Sequence, residues 1–330
     1  MINVLLICNA GAEYGLGHLS RMLVLEAALL KRSCFNVEFA LFGDDIPRNR
    51  VKTHNSYFFS HKDDLGKCVV DITKNQNFRV VVFDLHPDTV TKCFHELLLK
   101  LKDINIRLIG IDGFFDYSKV FDLLWIPSFT LDKEKLESSK CTIKFGWDCF
   151  LIKRRLSLRD WIPGKKLLVL TGGSDTQNVY ETLPGQLDSN LNDDFEIHWV
   201  QGPLSSRPNI PEQSRHNWHL YLSPIGLDEL ILDSNYVLTI FGVSLFEVLQ
   251  YGIPAVVFSP YGKKDATELD LLARENVAGV ASNSVDAIHM VNALKSNTAK
   301  AQQFSANALK KLQSNGAANL VNQIYNLLGQ

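Results

Sequence analysis

Charge of one sign, paired cysteines and long apolar runs are all missing from this 330-residue sequence. Lys and Arg (34) nearly balance Asp and Glu (36), giving a formal net charge of −2. No basic surplus therefore points to nucleic acid or to an anionic membrane. The six cysteines (Cys8, Cys34, Cys68, Cys93, Cys141, Cys149) form no CxxC pair, which argues against a zinc ribbon or a disulfide framework and suits a reducing cytoplasm. No apolar stretch approaches the ~20 residues that span a bilayer. The opening residues MINVLLICNAG lack the basic start and longer apolar core of a signal peptide, so a cytoplasmic location is expected. Solenoid-length repeats and low-complexity tracts are absent as well. What is present is ordinary for a globular protein: 46% apolar and 21% charged residues, in a chain long enough for two domains with separate cores.

Short apolar runs alternate with helical patterns along most of the chain. Strands are expected at 3–8, 37–42, 79–84, 106–112 and 122–127, then at 166–171, 195–200, 218–222, 236–240 and 255–259. Helix-like segments lie between them, among others at 18–32, 87–102, 177–191, 227–234, 243–251 and 265–276. Strands that are apolar throughout, separated by amphipathic helices, imply parallel sheets covered on both faces. The series breaks once, at the basic and aromatic stretch 145–165, FGWDCFLIKRRLSLRDWIPGK. The expected class is α/β, with two Rossmann-like parallel-sheet domains facing each other across a cleft. The expected division is 1–150, a junction at 151–165, and 166–330. Residues 300–328 read as one or two helices broken near Asn315-Gly316, the last a candidate to pack back on the N-terminal domain.

Three glycine-bearing strand-to-helix crossings carry the chemical signal. In GAEYGLGHLSR (11–21) the spacing is neither GxGxxG with a following acid nor GxxxxGK[ST], which argues against a dinucleotide site or a P-loop. His18 falls in the first helical turn, where the macrodipole disfavours imidazolium. A neutral histidine there suits a base toward water or a sugar hydroxyl, against the plainer reading of a local hydrogen bond. In LLVLTGGSDTQN (167–178), Gly172 and Gly173 permit positive φ and close backbone approach, and Ser174 or Asp175 makes a good N-cap. The crossing is either a tight turn with a cap or a loop touching phosphate or sugar. In IFGVSLFEVLQYGIP (240–254), the backbone amides of Gly242, Val243 and Ser244 could hold a diphosphate. Glu247, one turn on, faces the same way and can accept both hydroxyls of a ribose.

The stretch IFGVSLFEVLQYGIPAVV resembles the donor-nucleotide motif of GT-B glycosyltransferases that take N-acetylglucosamine from UDP. With GLGHLSRMLVLEAAL, FGWDCFLI and TGGSDTQN, in this order, the chain is similar to the UDP-sugar hydrolase of pseudaminic acid biosynthesis and the related spore-coat polysaccharide protein group. The resemblance implies a GT-B fold and a metal-independent hydrolase that uses no cofactor. In that family the histidine of the Gly-x-Gly-His-x-x-Arg segment activates the hydrolytic water. Carried over, His18 is the base, Gly15 and Gly17 shape its loop, and Arg21 points at the same cleft or holds His18. Gly173 and Ser174 lie near diphosphate or sugar. Gly242, Val243 and Ser244 bind the phosphates, Glu247 binds the ribose, and the loop with Ser223 and Ile225 passes beside uracil.

The sequence also departs from the family. Asp265 and Glu268 stand where the hydrolases carry an Asn-Gln pair, Phe241 occupies a turn usually made of small residues, and His86 stands in place of a tyrosine two residues after the matching Asp84. These positions bear on substrate recognition, though His86 before Pro87 also reads as a loop-shaping residue. No DxD-like cluster is expected to bind a metal, and Asp44-Asp45 reads as the start of a loop. The implied activity is inverting attack of water on a UDP-linked amino or deoxy sugar, for nonulosonic acid or surface polysaccharide synthesis. A glycosyltransferase with the same donor site and a non-catalytic nucleotide-sugar-binding protein are the alternatives. The expected partner is a small-molecule UDP-sugar, without nucleic acid or a membrane segment.

Overall fold

The computed structural model describes every residue except 52–54, 132, 176 and 330. It divides into two compact units: Met1–Ile152 with Ser314–Gln330, and Lys153–Gln313.

The first unit grows from β1 (Ile2–Asn9), where Val4 to Cys8 are wholly buried. Such unbroken apolarity marks a strand with helices on both faces. After a turn in which Gly15 takes φ 70° comes α1 (Gly17–Leu29), which buries Leu19, Met22, Leu25 and Leu29 along one stripe. The chain continues through β2 (Phe35–Phe42), β3 (Ser56–Phe59), α2 (Leu65–Asn75) and β4 (Phe78–Asp84). It then forms α3 (Phe94–Asp103), β5 (Arg107–Ile111), β6 (Leu123–Ile126), α4 (Lys133–Ser138) and β7 (Thr142–Phe145). The helix expected at 87–102 begins only at Phe94, because Pro87 heads a separate short turn, Pro87–Thr89. All strands pair in parallel, in the order β3-β2-β1-β4-β5-β6-β7. The winding therefore reverses between β1 and β4, and the carboxyl ends of these two strands flank the switch point, where open α/β sheets bind ligands.

The second unit repeats this plan. The segment from Lys153 packs by its backbone and rings: Arg155 N–H donates to the Tyr251 hydroxyl at 2.9 Å and Trp161 Nε1 donates to the Asn235 carbonyl at 2.6 Å. The elements are β8 (Lys166–Leu170), α5 (Val179–Asn190), β9 (Glu196–Gln201), β10 (Asn217–Leu222) and α6 (Asp228–Leu232). They continue with β11 (Tyr236–Ile240), α7 (Val243–Leu249), β12 (Ala255–Phe258), α8 (Ala266–Glu275), β13 (Gly279–Val280), α9 (Ser284–Ser296) and α10 (Thr298–Lys311). The parallel order β10-β9-β8-β11-β12-β13 puts its switch point between β8 and β11.

The final helix, α11 (Gly316–Leu327), belongs to the first unit, against α1 and the turn Trp147–Cys149. Its start is so close to the chain that a Cβ on Gly316 would lie 2.3 Å from the Phe150 carbonyl oxygen. Among the described residues no helix is long and apolar enough to cross a membrane.

Candidate active site

All the residues singled out in the sequence follow the carboxyl ends of parallel strands or end such a strand. In the first unit they are Gly15, Gly17, His18 and Arg21 after β1, and Asp84 and His86 at and after β4. In the second they are Gly173 and Ser174 after β8, Ser223 and Ile225 after β10, Gly242 to Glu247 after β11, and Asp265 and Glu268 after β12.

At the first unit's switch point α1 and β4 bring three side chains together. Asp84, fully buried, meets His18 Nδ1 with Oδ1 at 2.6 Å. Arg21 grips the same carboxylate with both arms, Nε to Oδ2 at 2.9 Å and Nη2 to Oδ1 at 2.6 Å. Its other nitrogen, Nη1, reaches Asp112 at 3.2 Å, just past the end of β5. Burial alone would raise the Asp84 carboxyl, but Arg21 and then His18 outweigh it and hold it below the usual carboxylate range. An ionised Asp84 only accepts hydrogen bonds, so the 2.6 Å contact requires the proton on Nδ1 of His18. Arg21 Nη2 lies 3.0 Å from that same Nδ1. Both are donors, so they converge on Asp84 rather than bonding each other. In the neutral ring the lone pair is then on Nε2, the tautomer of a general base backed by a carboxylate.

Around this core, Asn9 at the end of β1 is fully buried; its Oδ1 accepts from the His86 amide at 2.8 Å and from the Thr89 hydroxyl at 2.9 Å. That contact sets the loop after β4 and places the His86 ring edge-on to His18, with centroids 6.4 Å apart, and beside Tyr14 at 5.6 Å. His86 Nδ1 also lies 3.4 Å from the Asp88 amide, so the ring both shapes its loop and borders the base.

The second unit's switch point is built from backbone. Gly172 takes φ 92°, and a Cβ on Gly202, just past β9, would lie 2.4 Å from the carbonyl oxygens of Gly172 and Gly173. Of the two candidate caps Asp175 performs the task, its oxygens accepting from the Val179 and Tyr180 amides at 2.9 and 2.8 Å. Gly242 is different. Its backbone is extended and a Cβ there would meet nothing within 4 Å, so neither conformation nor packing demands glycine. Val243 and Ser244 open α7, and Glu247 is half-buried in its second turn. Ser223 adopts φ 46° and donates its amide to the Gln201 carbonyl at 2.9 Å, while Ile225 is 90% exposed. The Asp265 carboxylate accepts from the Ser259 hydroxyl at 2.5 Å and Glu268 lies in the first turn of α8. A cavity of about 230 Å³ opens nearby, lined by Gln177, Thr182, Ser259, Asn283 and Ser284 among others.

Two members of the first cluster were missed in the sequence. Asp112 carries the same signal as Asp84, an acid closing an apolar run, and that signal could have found it. Asn9 has no local signature.

No known protein-family profile matches this sequence. Over 287 residues, 78% of the chain, it is 23% identical to the uncharacterized protein MJ1062 of Methanocaldococcus jannaschii, and it spans 55% of that relative's length. Among solved structures it resembles MnaA of S. aureus in complex with UDP, with a TM-score of 0.67 at 11% identity, covering 100% of this chain and 97% of the other. The UDP-GlcNAc 2-epimerase of Neisseria meningitidis bound to UDP-GlcNAc gives a TM-score of 0.64 at 13% identity, with 100% of both chains covered. The glycotransferase of kitacinnamycin gives 0.70 at 14% identity, with 98% of both covered. With two parallel α/β units of seven and six strands, the chain has the GT-B fold of two Rossmann-like domains.

Proposed function

We propose that this chain is a UDP-sugar hydrolase, with His18 as its general base. The observation that carries the reading is the His18–Asp84–Arg21 cluster at the switch point of the first unit. In the proposed reaction Nε2 of His18 takes a proton from water as its oxygen attacks the anomeric carbon. The bond from that carbon to the diphosphate breaks on the opposite face, UDP departs, and the free sugar carries inverted configuration. The imidazolium formed on His18 is stabilised by Asp84, which Arg21 holds in place. A positioned base of this kind contributes ~10²–10⁴-fold.

The second unit is the proposed nucleotide-binding domain. Gly242, Val243 and Ser244 would face the diphosphate and Glu247 the ribose, and the glycine that the fold itself does not demand supports this assignment. Ser223 and Ile225 would border the base; Gly15, Gly17, His86, Gly173, Ser174, Asp265 and Glu268 would contact sugar or phosphate. Fold neighbours solved with UDP and UDP-GlcNAc support a UDP-linked substrate. The proposed setting is the cytoplasm, in nonulosonic acid or surface polysaccharide synthesis.

The test is UDP release, without acceptor, from UDP-linked 2,4-diacetamido-2,4,6-trideoxy sugars and from UDP-N-acetylglucosamine, wild type beside His18→Ala. Free sugar and UDP from wild type, lost in the variant, are expected. UDP binding with no release from any donor would overturn the hydrolase. Transfer on adding an acceptor, or a new UDP-sugar epimer, would assign the site to a transferase or an epimerase.

A further inference from the structure

On the outer half of the second unit's sheet, three metal-competent side chains share one face. Glu196 and His198 lie two residues apart on β9, and His219 is the direct cross-strand partner of His198 on the edge strand β10. One ligand atom from each falls within 4.8 Å of the others. His198 is 9% exposed. Its Nδ1 lies 2.9 Å from the Tyr221 hydroxyl, while Nε2 is buried with no hydrogen-bond partner. A buried ring nitrogen without a partner is costly and calls for an explanation. The neighbouring His219 ring stacks on His198 with centroids 4.6 Å apart.

We propose that Glu196, His198 and His219 bind a divalent transition-metal ion of the zinc class, which ties the edge strand β10 to β9. Two imidazoles and a carboxylate are a recognised zinc set that leaves a fourth position for water. The Tyr221 hydroxyl supplies the outer contact that such histidines use, accepting from Nδ1–H and leaving the Nε2 lone pair for the metal. Tetrahedral bonds of ~2.0–2.1 Å need ligand atoms only ~3.3–3.5 Å apart. Binding therefore draws in the exposed His219 and the half-buried Glu196 while His198 stays fixed. The Lys165 ammonium, 2.6 Å from Glu196, works against the ion.

The test is Zn²⁺ titration of the chelator-stripped full chain against a chromophoric competitor, with Co²⁺ as a spectroscopic substitute. Wild type is expected to bind one ion with tetrahedral Co²⁺ bands and no thiolate charge transfer. His219→Ala and Glu196→Gln, both at solvent-accessible positions, should each weaken binding by more than the ~10–100-fold that an outer contact is worth. His289→Ala, an exposed histidine of α9, should leave it unchanged, and Lys165→Ala should tighten it. Unfolding midpoints should rise with Zn²⁺ in wild type and not in the Glu196→Gln/His219→Ala double variant. Equal affinity of wild type and double variant, or a thiolate signature in the Co²⁺ spectrum, would overturn the proposal.

Discussion

The two units share a strand order through their first six strands and a device at the switch point, yet they furnish that point in opposite ways. In the first, a Cβ on Gly11 would lie 2.1 Å from the Asp44 carbonyl oxygen and one on Gly43 1.9 Å from that of Ala10. In the second, Gly202 meets the carbonyls of Gly172 and Gly173 in the same relation. In each case the loops after the unit's first two strands touch backbone to backbone, which only glycine permits. Around that contact the first unit gathers ionisable side chains: His18, Arg21, Asp84 and Asp112. The second presents glycines, Ser174, Ser244 and the start of a helix. The same scaffold thus carries a buried ionisable cluster at one switch point and glycine backbone with small hydroxyls at the other.

The comparison breaks first at Asp84. Asp84→Ala leaves the Arg21 guanidinium, with 13% side-chain exposure, facing no carboxylate at that end. The expected cost is ~3–5 kcal/mol, as for a broken buried pair, read by denaturant unfolding. His18→Ala should leave the fold intact and slow UDP release ~10²–10⁴-fold with UDP affinity unchanged, which would separate chemistry in one unit from binding in the other. Gly202→Ala should act in reverse. By pushing on Gly172 and Gly173 it costs ~1–3 kcal/mol and weakens UDP binding, measured by calorimetry.

Acid sharpens the contrast further. Asp84 titrates below its unfolded value, so its contribution is complete above pH ~3.9 and is lost as pH falls through the folded value; Asp84→Asn should flatten that limb. Asp175 runs the other way. Burial raises its carboxyl against the amides that cap α5, so its stabilising share lies at low pH and fades as pH rises above ~3.9. Asp175→Asn should remove that opposing slope. Gly242→Ala should be the mildest change, within ~0.5 kcal/mol in stability because its Cβ meets open space. A loss of UDP affinity in that stable variant is the expected mark of phosphate lying on the turn; unchanged affinity would remove the turn from the nucleotide site.

Strands at the middle of each sheet were legible because burial on both faces writes an unbroken apolar run, as in LLIC of β1 and VVVF of β4. The edges were not. β7 (TIKF) is mostly exposed, β3 (SYFF) is only half-buried, and β13 has two residues. Partial burial leaves too little apolar contrast to read. The histidines of β9 and β10 escaped for another reason: His198 and its cross-strand partner His219 lie on the face opposite Ile197 and Trp199, whose burial makes the β9 run read as a plain strand.

The sequence by itself determined the alternation of strand, glycine turn and helix, and with it the placing of His18, Gly173 and Gly242 at strand ends. Those patterns are local, written by burial and backbone freedom within a few residues. The tertiary structure decided which of those ends meet. His18 and Asp84 are 66 residues apart, and Arg21 and Asp112 are 91 apart. They come together because β4 pairs with β1 and β5 with β4. Strand order is a property of the whole packed sheet and leaves no mark in any short stretch of chain.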